Sequence, residues 1–288
     1  MSRRSWAQLL LLAALWGAVY PLISVSLREL SPVDVVFGRV LLAALLLIPL
    51  ALRSDSLRSL WRRPRTIIGT VLVQSTVPLL LLTYGQRHVS AGLAGILVGA
   101  QPLFVAVLSY RWAPEESPRG WVGLAGIGLG FGGLVFLLGL DLSGGFQALV
   151  SGMLVLAAAL CYAAGSLMIH RRHNQQPPLG VATFAMIVTT AALAGPAAVD
   201  LPDAPPSMTV LGCMALLGLV CTGMTLVLFY TLIAQIGPAR AALSFYLSPA
   251  FAVLFGAALL GERIGASAVA GLAAIVAGSV LASRFPPK

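Results

Sequence analysis

Long apolar runs separated by short polar segments constrain this chain more than any other feature of its sequence. Only 9% of the 288 residues are charged, too few to cover a soluble domain of this length. Each run is close to the roughly 20 residues that an α-helix needs to cross a bilayer, whereas barrel strands are about half as long. The sequence predicts an all-α membrane protein with ten transmembrane helices. The runs lie at about 6–28, 32–52, 66–86, 90–111, 120–140, 147–170, 178–199, 208–234, 238–260 and 264–283.

The basic residues are distributed unequally between the two ends of these runs. With the N-terminus placed in the cytoplasm, 14 of the 18 Lys and Arg residues fall on the cytoplasmic side. Arg28, Arg87 and Arg263 fall on the other side, and Arg39 lies within a run. Cytoplasmic loops of membrane proteins carry such an excess. The net charge of +9 therefore indicates orientation in a bacterial inner membrane, with both termini cytoplasmic, and does not indicate nucleic-acid binding.

Two stretches of the chain resemble one another. In LVGAQPLFVAVLSYRWAPEE (97–116) and SFYLSPAFAVLFGAALLGER (244–263), a polar residue precedes a proline, an aromatic residue follows two places later, and a glutamate lies 13 places past the proline. Equivalent residues in other runs are 146 to 148 positions apart, such as Thr76 with Thr222. Each half contains five runs, an odd number, so a duplicated second half must cross the membrane in the opposite sense, as in secondary transporters.

The second half contains residues that resemble a known family. The stretch GLVCTGMTLVLFYTLIAQIGPARAALSFYLSPAFAVLFGAALLGERIGASAVAGLAAIVAGSVLA (218–282) is similar to the EamA repeat of the drug/metabolite transporter superfamily. The first half carries a looser version, with LWGAVYPL near its start and Pro114-Glu115-Glu116 in place of the Gly-Glu-Arg turn. The resemblance implies two inverted five-helix repeats, 1–140 and 147–288. It also implies a central cavity lined by the first, third, fourth, sixth, eighth and ninth helices. Within the superfamily, the chain resembles amino-acid exporters of the YddG type, and this resemblance implies export.

Prolines within three of the runs predict hinges. Pro102 and Pro249 are equivalent in the two halves, and each removes the N–H that would bond the carbonyl four residues earlier. Pro78 does the same one helix before Pro102. Backbone groups freed at membrane depth must be buried in protein or face water. We predict hinges at Pro78, Pro102, Pro249 and, in the Thr-Gly pair of the eighth run, Gly223; the alternative is that these prolines only kink their helices.

Polar and aromatic residues near those hinges are the candidates for substrate binding. Trp16 and Tyr20 share one face of the first helix, and Tyr162 is the repeat equivalent of Trp16. An unpaired glutamine amide in hydrocarbon is costly, which favours a polar cavity around it. The alternative is that serines bond back to their own helix and aromatic residues fill the core. The predicted substrate-binding residues are Trp16, Tyr20, Gln74, Gln101, Tyr162, Ser244, Tyr246 and Ser248.

Charged groups are almost missing from the interior of the runs. All nine acidic residues lie in loops or at run ends, so the carboxylate that proton-coupled export of cationic drugs requires is lacking. Arg39 lies about seven residues from the outer end of the second run. Three roles stay open for it: extending outward to the interface, pairing with Asp34 or backbone carbonyls, or binding a substrate carboxylate.

The remaining patterns favour helix packing over chemistry. Gly126 and Gly130, and likewise Gly128 and Gly132, are spaced for close contact between helices. The runs lack the Ser–His pair, zinc motif or paired aspartates of an intramembrane protease. We expect no catalytic residue, no cofactor and no metal.

These observations together predict a bacterial inner-membrane secondary transporter that exports small amphiphilic metabolites, foremost aromatic or neutral amino acids. Alternating access would use hinged fourth and ninth helices. We expect a monomer whose partners are a small-molecule substrate and membrane lipid, with no nucleic acid. The alternatives are export of drugs or other metabolites and, in a different class, an intramembrane enzyme.

Overall fold

The regular structure of the chain is helical. The computed structural model describes residues 2–58, 60, 64–114, 117–118, 120–140, 145–173, 175–199, 202, 204–236, 241 and 243–282, and no β-strand occurs within those ranges. Within those ranges, ten helices cross the molecule. They are α1 (Arg3–Ser26), α2 (Pro32–Arg53), α3 (Pro64–Val71, Leu72–Thr76 and Val77–Gly85), α4 (Ala91–Val98 and Gln101–Trp112), α5 (Gly120–Leu140), α6 (Gly145–His173), α7 (Pro178–Val199), α8 (Met208–Ala215, Leu216–Met224 and Thr225–Ile236), α9 (Leu243–Leu260) and α10 (Ala266–Ala282).

The ten helices coincide with the ten apolar runs to within a few residues. Nine of them are long and apolar enough to cross a membrane, counted over the described ranges, and α10 is an apolar helix of 17 residues. The prediction of an all-α membrane protein is therefore confirmed. The predicted start of the ninth run at residue 238 and the turn at Glu115 and Glu116 lie outside the described residues.

The carboxylate of Glu262 caps the N-terminus of α4. Gly261 ends α9 with φ of +68°, a left-handed conformation that glycine adopts without strain, and turns the chain back. Glu262 then accepts hydrogen bonds from the backbone N–H groups of Ala91, at 2.6 Å, and Gly92, at 2.9 Å. The side chain of Ser90 accepts the next N–H, from Leu93. The first three N–H groups of α4 are thus satisfied, and a negative charge lies at the positive end of the helix dipole.

Glu29 makes a similar contact between the end of α1 and the start of α8. It accepts hydrogen bonds from the backbone N–H of Ser207, at 2.6 Å, and from the Ser207 hydroxyl, at 2.7 Å. These bonds, the backbone one foremost, hold the pKa of Glu29 below its ordinary value. Because the folded pKa is depressed, the contact stabilises the fold above the unfolded pKa and is lost as the pH falls through the folded pKa. We call the face that carries the Glu262 and Glu29 contacts the clasp face.

Successive helices cross between the clasp face and the opposite face. At the opposite face, Oγ1 of Thr70 in the first part of α3 lies 3.3 Å from Nε2 of His173, the last residue of α6. Gly180, near the start of α7, packs there against the backbone of Ser56, which follows α2. The first helix therefore runs toward the clasp face, whereas α6 runs away from it.

Glycines bring α5 and α10 into close contact. A Cβ atom at Gly126 would lie 2.8 Å from the carbonyl oxygen of Gly278, and one at Gly278 would lie 2.6 Å from the backbone nitrogen of Gly130. Larger residues would hold the two backbones apart. The packing prediction is confirmed for Gly126 and Gly130. Gly128 and Gly132 face away, since no described atom lies within 4 Å of a Cβ at either position.

Three helices depart from regular α-helical geometry near the predicted hinges. π-helical turns occupy Leu72–Thr76 of α3, one residue before Pro78, and Leu216–Met224 of α8, which includes Gly223. The fourth helix is interrupted before Gln101, so Pro102 lies in the first turn of its second half. The ninth helix continues without a break through Pro249. The two halves therefore differ at their equivalent prolines.

Removal of the Glu262 carboxylate should destabilise the protein. Glu262→Ala leaves the N–H groups of Ala91 and Gly92 without their acceptor, which we expect to cost about 1–3 kcal/mol of unfolding free energy. Thermal and denaturant unfolding of the detergent-solubilised protein would measure the loss. Arg263→Ala is the matched control, because the neighbouring side chain is exposed and makes no hydrogen bond to α4 in the described part of the chain. Equal stability of the two variants would contradict the capping role.

Candidate substrate cavity

A cavity of about 620 Å³ lies between the two halves of the chain. Its walls come from α1, α2, α3, α4, α6, α8 and α9, with Pro118 and Ala282 contributing at one end. The six helices that the family resemblance implies are all present, and α2 adds Arg39. The volume is within the range of about 300–1,000 Å³ that is typical of sites for small organic molecules.

Most of the residues predicted to bind substrate lie along this cavity. Two predicted hinge residues, Pro102 and Pro249, also line it, whereas Pro78 and Gly223 do not. Gly223 packs instead against Leu46 and Ala43 of α2. Ser244 lies away from the cavity, fully buried, and its hydroxyl donates a hydrogen bond to the carbonyl oxygen of Ala241 at 2.7 Å. The predicted binding residues that line the cavity are Trp16, Tyr20, Gln74, Gln101, Tyr162, Tyr246 and Ser248.

Three aromatic rings form one wall of the cavity. Trp16 stacks on Phe245 with ring centroids 4.6 Å apart and an interplanar angle of 24°. Phe229 approaches Trp16 at 5.3 Å and meets Phe245 edge to face at 5.5 Å. Aromatic contacts of this kind hold the rings in fixed orientations. The wall is a preformed apolar surface against which a flat or aliphatic side chain of a ligand can pack.

Polar residues of α3, α4 and α9 also line the cavity. The amide oxygen of Gln74 is buried and has no hydrogen-bond partner among the described residues. Gly165 of α6 packs directly against Gln74, so α3 and α6 hold this side chain between them. Gln101 and Ser248, which are equivalent in the two halves, line the cavity beside the two prolines. These groups offer a ligand both donors and acceptors within an otherwise apolar site.

Arg39 is the one charged residue among the described residues that line the cavity. Its Nε donates a hydrogen bond to Oγ1 of Thr222 in α8 at 2.7 Å. It does not pair with Asp34, whose carboxylate instead accepts a hydrogen bond from Ser31 at 2.8 Å. With 8% of its surface exposed, the side chain does not extend outward to the interface either. In this structure Arg39 therefore neither extends outward to the interface nor pairs with Asp34.

The lining of the cavity reaches the face opposite the clasp face, and hydrogen bonds join helices on the clasp side. Gln86, which is 5% exposed, donates hydrogen bonds from Nε2 to the carbonyl oxygen of Tyr20 at 3.0 Å and to Ser24 at 3.3 Å. These bonds join the end of α3 to α1 on the side of the clasps. At the other end, the lining residues Pro118 and Ala282 belong to the segment before α5 and the last turn of α10.

Sequence reasoning missed several residues that shape the site. Glu29, Glu262 and Gln86 were not assigned structural roles, because their partners are 178, 170–171 and 62–66 positions away in the chain. One sequence signal for the helix caps was available: Glu262 follows a glycine turn, and serines precede α4 and α8. Phe229 and Phe245 were also missed, because their positions in apolar runs do not distinguish them from residues that face lipid.

Comparisons with known proteins agree with this architecture. The sequence profile of the EamA-like transporter family matches residues 4–139 and 150–284. The uncharacterized inner membrane transporter YedA of Escherichia coli (strain K12) is 28% identical over 296 residues, which cover 95% of this chain and 90% of that protein. A probable terminal-alkyne amino-acid exporter of Streptantibioticus cattleyicolor is 27% identical over 292 residues, which cover 99% and 94%.

A solved crystal structure has the same fold. It superposes with a TM-score of 0.69 at 19% sequence identity and covers 98% of this chain and 97% of its own. The two profile matches together account for nearly all of the ten-helix structure and flank the cavity. The chain therefore belongs to the EamA-like transporter family and is a membrane transporter.

Proposed function

We propose that this transporter exports small amphiphilic metabolites, foremost aromatic or neutral amino acids, across the bacterial inner membrane. The observation that carries the proposal is the cavity, with an aromatic wall at Trp16, Phe229 and Phe245 and amide groups at Gln74 and Gln101. Such a lining suits a compact ligand that is apolar at one end and polar at the other. The Streptantibioticus cattleyicolor relative, named as a probable amino-acid exporter, supports this substrate class.

We infer that residues 1–140 and 147–288 are inverted repeats. In support, the family profile matches the chain twice, and α1 and α6, the first helices of the two matches, run in opposite directions. Helix contacts also occur in equivalent pairs: α1 packs on α9 as α6 packs on α4, and α2 packs on α8 as α7 packs on α3. Two packings of similar energy, related by the inversion, would give the two states of an alternating-access transporter.

The charge distribution gives the proposed orientation. With both termini in the cytoplasm, the clasp face lies on the periplasmic side and the cavity extends toward the cytoplasm. This arrangement is the state in which an exporter takes up its substrate. Because the described residues that line the cavity include no carboxylate, we propose transport down the substrate gradient without strong coupling to protons.

Counterflow in proteoliposomes tests the proposed function. Vesicles preloaded with unlabelled L-phenylalanine should accumulate labelled L-phenylalanine, and other aromatic and neutral amino acids should compete. Protein-free vesicles and a Trp16→Ala variant, which removes the centre of the aromatic wall, are the controls and should show little uptake. Counterflow of cationic dyes or nucleosides without any amino acid would contradict the proposed substrate class. Strong uphill accumulation driven by a pH gradient alone would contradict the proposed driving force.

We also propose that Pro78, Pro102, Gly223 and Pro249 are hinge positions. The π-helical turns in α3 and α8 and the interruption in α4 support this proposal for Pro78, Gly223 and Pro102, because each irregularity lies at or next to one of these residues. Pro249 is included as the repeat equivalent of Pro102, although α9 is continuous there. Short helix segments joined by such irregular turns can tilt as units.

Replacing the two equivalent prolines should slow transport more than it weakens binding. Pro102→Ala and Pro249→Ala keep the aromatic and polar side chains of the cavity but add a backbone N–H that can bond the carbonyl four residues earlier and stiffen each helix. We expect the dissociation constant for L-phenylalanine to change less than about threefold and the transport rate to fall at least about tenfold. Gly128→Ala, on the outer face of α5, is the control and should leave both unchanged. Normal transport by both proline variants would show that the prolines serve packing alone.

A further inference from the structure

We propose that Arg39 is the anchor for the carboxylate of the transported substrate, with the outer edge of its guanidinium group open to the cavity. This inference rests on the proposed function and narrows it, because it requires every good substrate to carry a carboxylate. It assigns a binding role to a residue of α2, a helix that the family resemblance does not place in the cavity wall.

The inner edge of the guanidinium group is held by a fixed acceptor. Nε of Arg39 donates to Oγ1 of Thr222 at 2.7 Å, and the Thr222 hydroxyl donates its own proton to the carbonyl oxygen of Leu217, also at 2.7 Å. Since that hydroxyl proton is already used, Oγ1 can only accept from Arg39. The contact with α8 therefore fixes the orientation of the guanidinium plane, including its two Nη atoms.

The π-helical turns of α8 make this contact geometrically accessible. Leu217 and Thr222 are five residues apart within Leu216–Met224. In a regular α-helix a threonine hydroxyl bonds the carbonyl three or four residues earlier, so this bond depends on the π-helical turns. Gly218 allows the same segment to approach α2 closely. A Cβ at this position would lie 2.9 Å from the carbonyl oxygen of Arg39 and 2.6 Å from Cβ of Leu42.

No protein carboxylate neutralises Arg39 in the part of the chain that the structure describes. The one ion pair recorded there joins Arg58 to Asp55 at the surface. Arg39 lines the cavity, and the hydrogen bond that its side chain makes to Thr222 uses Nε, which leaves the two Nη groups for a ligand. An uncompensated charge is costly inside a membrane protein. A ligand carboxylate offers the counter-charge and matches the two parallel Nη donors.

Two tyrosines extend the site around the guanidinium group. Tyr20 of α1 and Tyr162 of α6 line the same cavity as Arg39. Neither hydroxyl has a hydrogen-bond partner among the described residues. Phenol hydroxyls donate readily to carboxylate oxygens. Arg39 and these two residues thus form a subsite for a negative group, opposite in chemistry to the aromatic wall at Trp16.

The subsite selects a class of substrate. Zwitterionic amino acids and other carboxylates satisfy Arg39, whereas an amine of the same shape leaves it uncompensated and brings a second positive charge beside it. The inference therefore predicts strong discrimination against cationic compounds, including amines that fit the aromatic wall equally well.

Three matched ligands test this inference on the full-length protein in detergent and in proteoliposomes. L-Phenylalanine carries both groups, 3-phenylpropanoate lacks the amine, and phenethylamine lacks the carboxylate. Binding measured by calorimetry should favour L-phenylalanine over phenethylamine by about 10- to 100-fold. In Arg39→Gln this ratio should fall to near one, and in Arg39→Lys it should be intermediate because the ammonium group lacks the planar fork.

Controls separate carboxylate recognition from folding. Phe229→Leu weakens the aromatic wall and should lower the affinity for all three ligands equally, without changing the ratio. Thr222→Val removes the acceptor of the Arg39 Nε but keeps the positive charge, so the affinity ratio of L-phenylalanine to phenethylamine should fall only several-fold. If Arg39→Gln does not fold, Thr222→Val takes its place as the test.

The outcomes distinguish this inference from the proposed function. An unchanged ratio in Arg39→Gln, or equal binding of phenethylamine and L-phenylalanine by the wild-type protein, would overturn the inference even if amino acids are transported. Binding of 3-phenylpropanoate that depends on Arg39, without counterflow of any amino acid, would support the inference and overturn the proposed substrate.

Discussion

Carboxylates bound at the starts of two helices join the two halves of this membrane protein at one face, and the cavity lining reaches the opposite face. A helix that begins inside a bundle leaves N–H groups without partners, and in an apolar medium no water is available to replace them. Glu262 satisfies two of these groups at the start of α4. Glu29 makes an exposed contact with Ser207, the residue before α8, and both contacts join positions 170 or more residues apart. Each contact joins one family match to the other, so closing the clasp face also brings the two halves together.

The clasp face and the cavity together describe a single conformational state. Gln86 adds a third connection on the clasp side, between α3 and α1, whereas the lining of the cavity reaches Pro118 and Ala282 at the other end. The carboxylate bonds of Glu262 and Glu29 are charge-assisted. Bonds of this strength can stabilise one conformation and can still break and re-form during a transport cycle. The irregular turns in α3, α4 and α8 provide flexible positions close to the cavity, where small rotations would change its accessible end.

Much of the fold could be predicted because the bilayer imposes a length on every helix. The apolar runs match the ten helices closely, and the spacing of Gly126 and Gly130 correctly indicated a close contact. Seven of the predicted binding residues line the cavity, since a polar side chain in an apolar run has few other environments. Ser244 differs because a serine hydroxyl can bond a nearby backbone carbonyl, here the carbonyl oxygen of Ala241. The contact of Arg39 with Thr222 was not predictable, because it joins residues 183 positions apart through a π-helical turn that no local pattern indicates.

Sided labelling of a cavity residue tests the central claim, that the cavity opens to the cytoplasm while the clasps close the periplasmic side. A single cysteine at Val105, which lines the cavity, would be introduced after Cys161, Cys213 and Cys221 are replaced by alanine. A membrane-impermeant maleimide should label it rapidly in inverted vesicles and slowly in right-side-out vesicles, and Glu262→Ala should raise only the second rate. Faster labelling in right-side-out vesicles, or rates that do not respond to Glu262→Ala, would contradict the account.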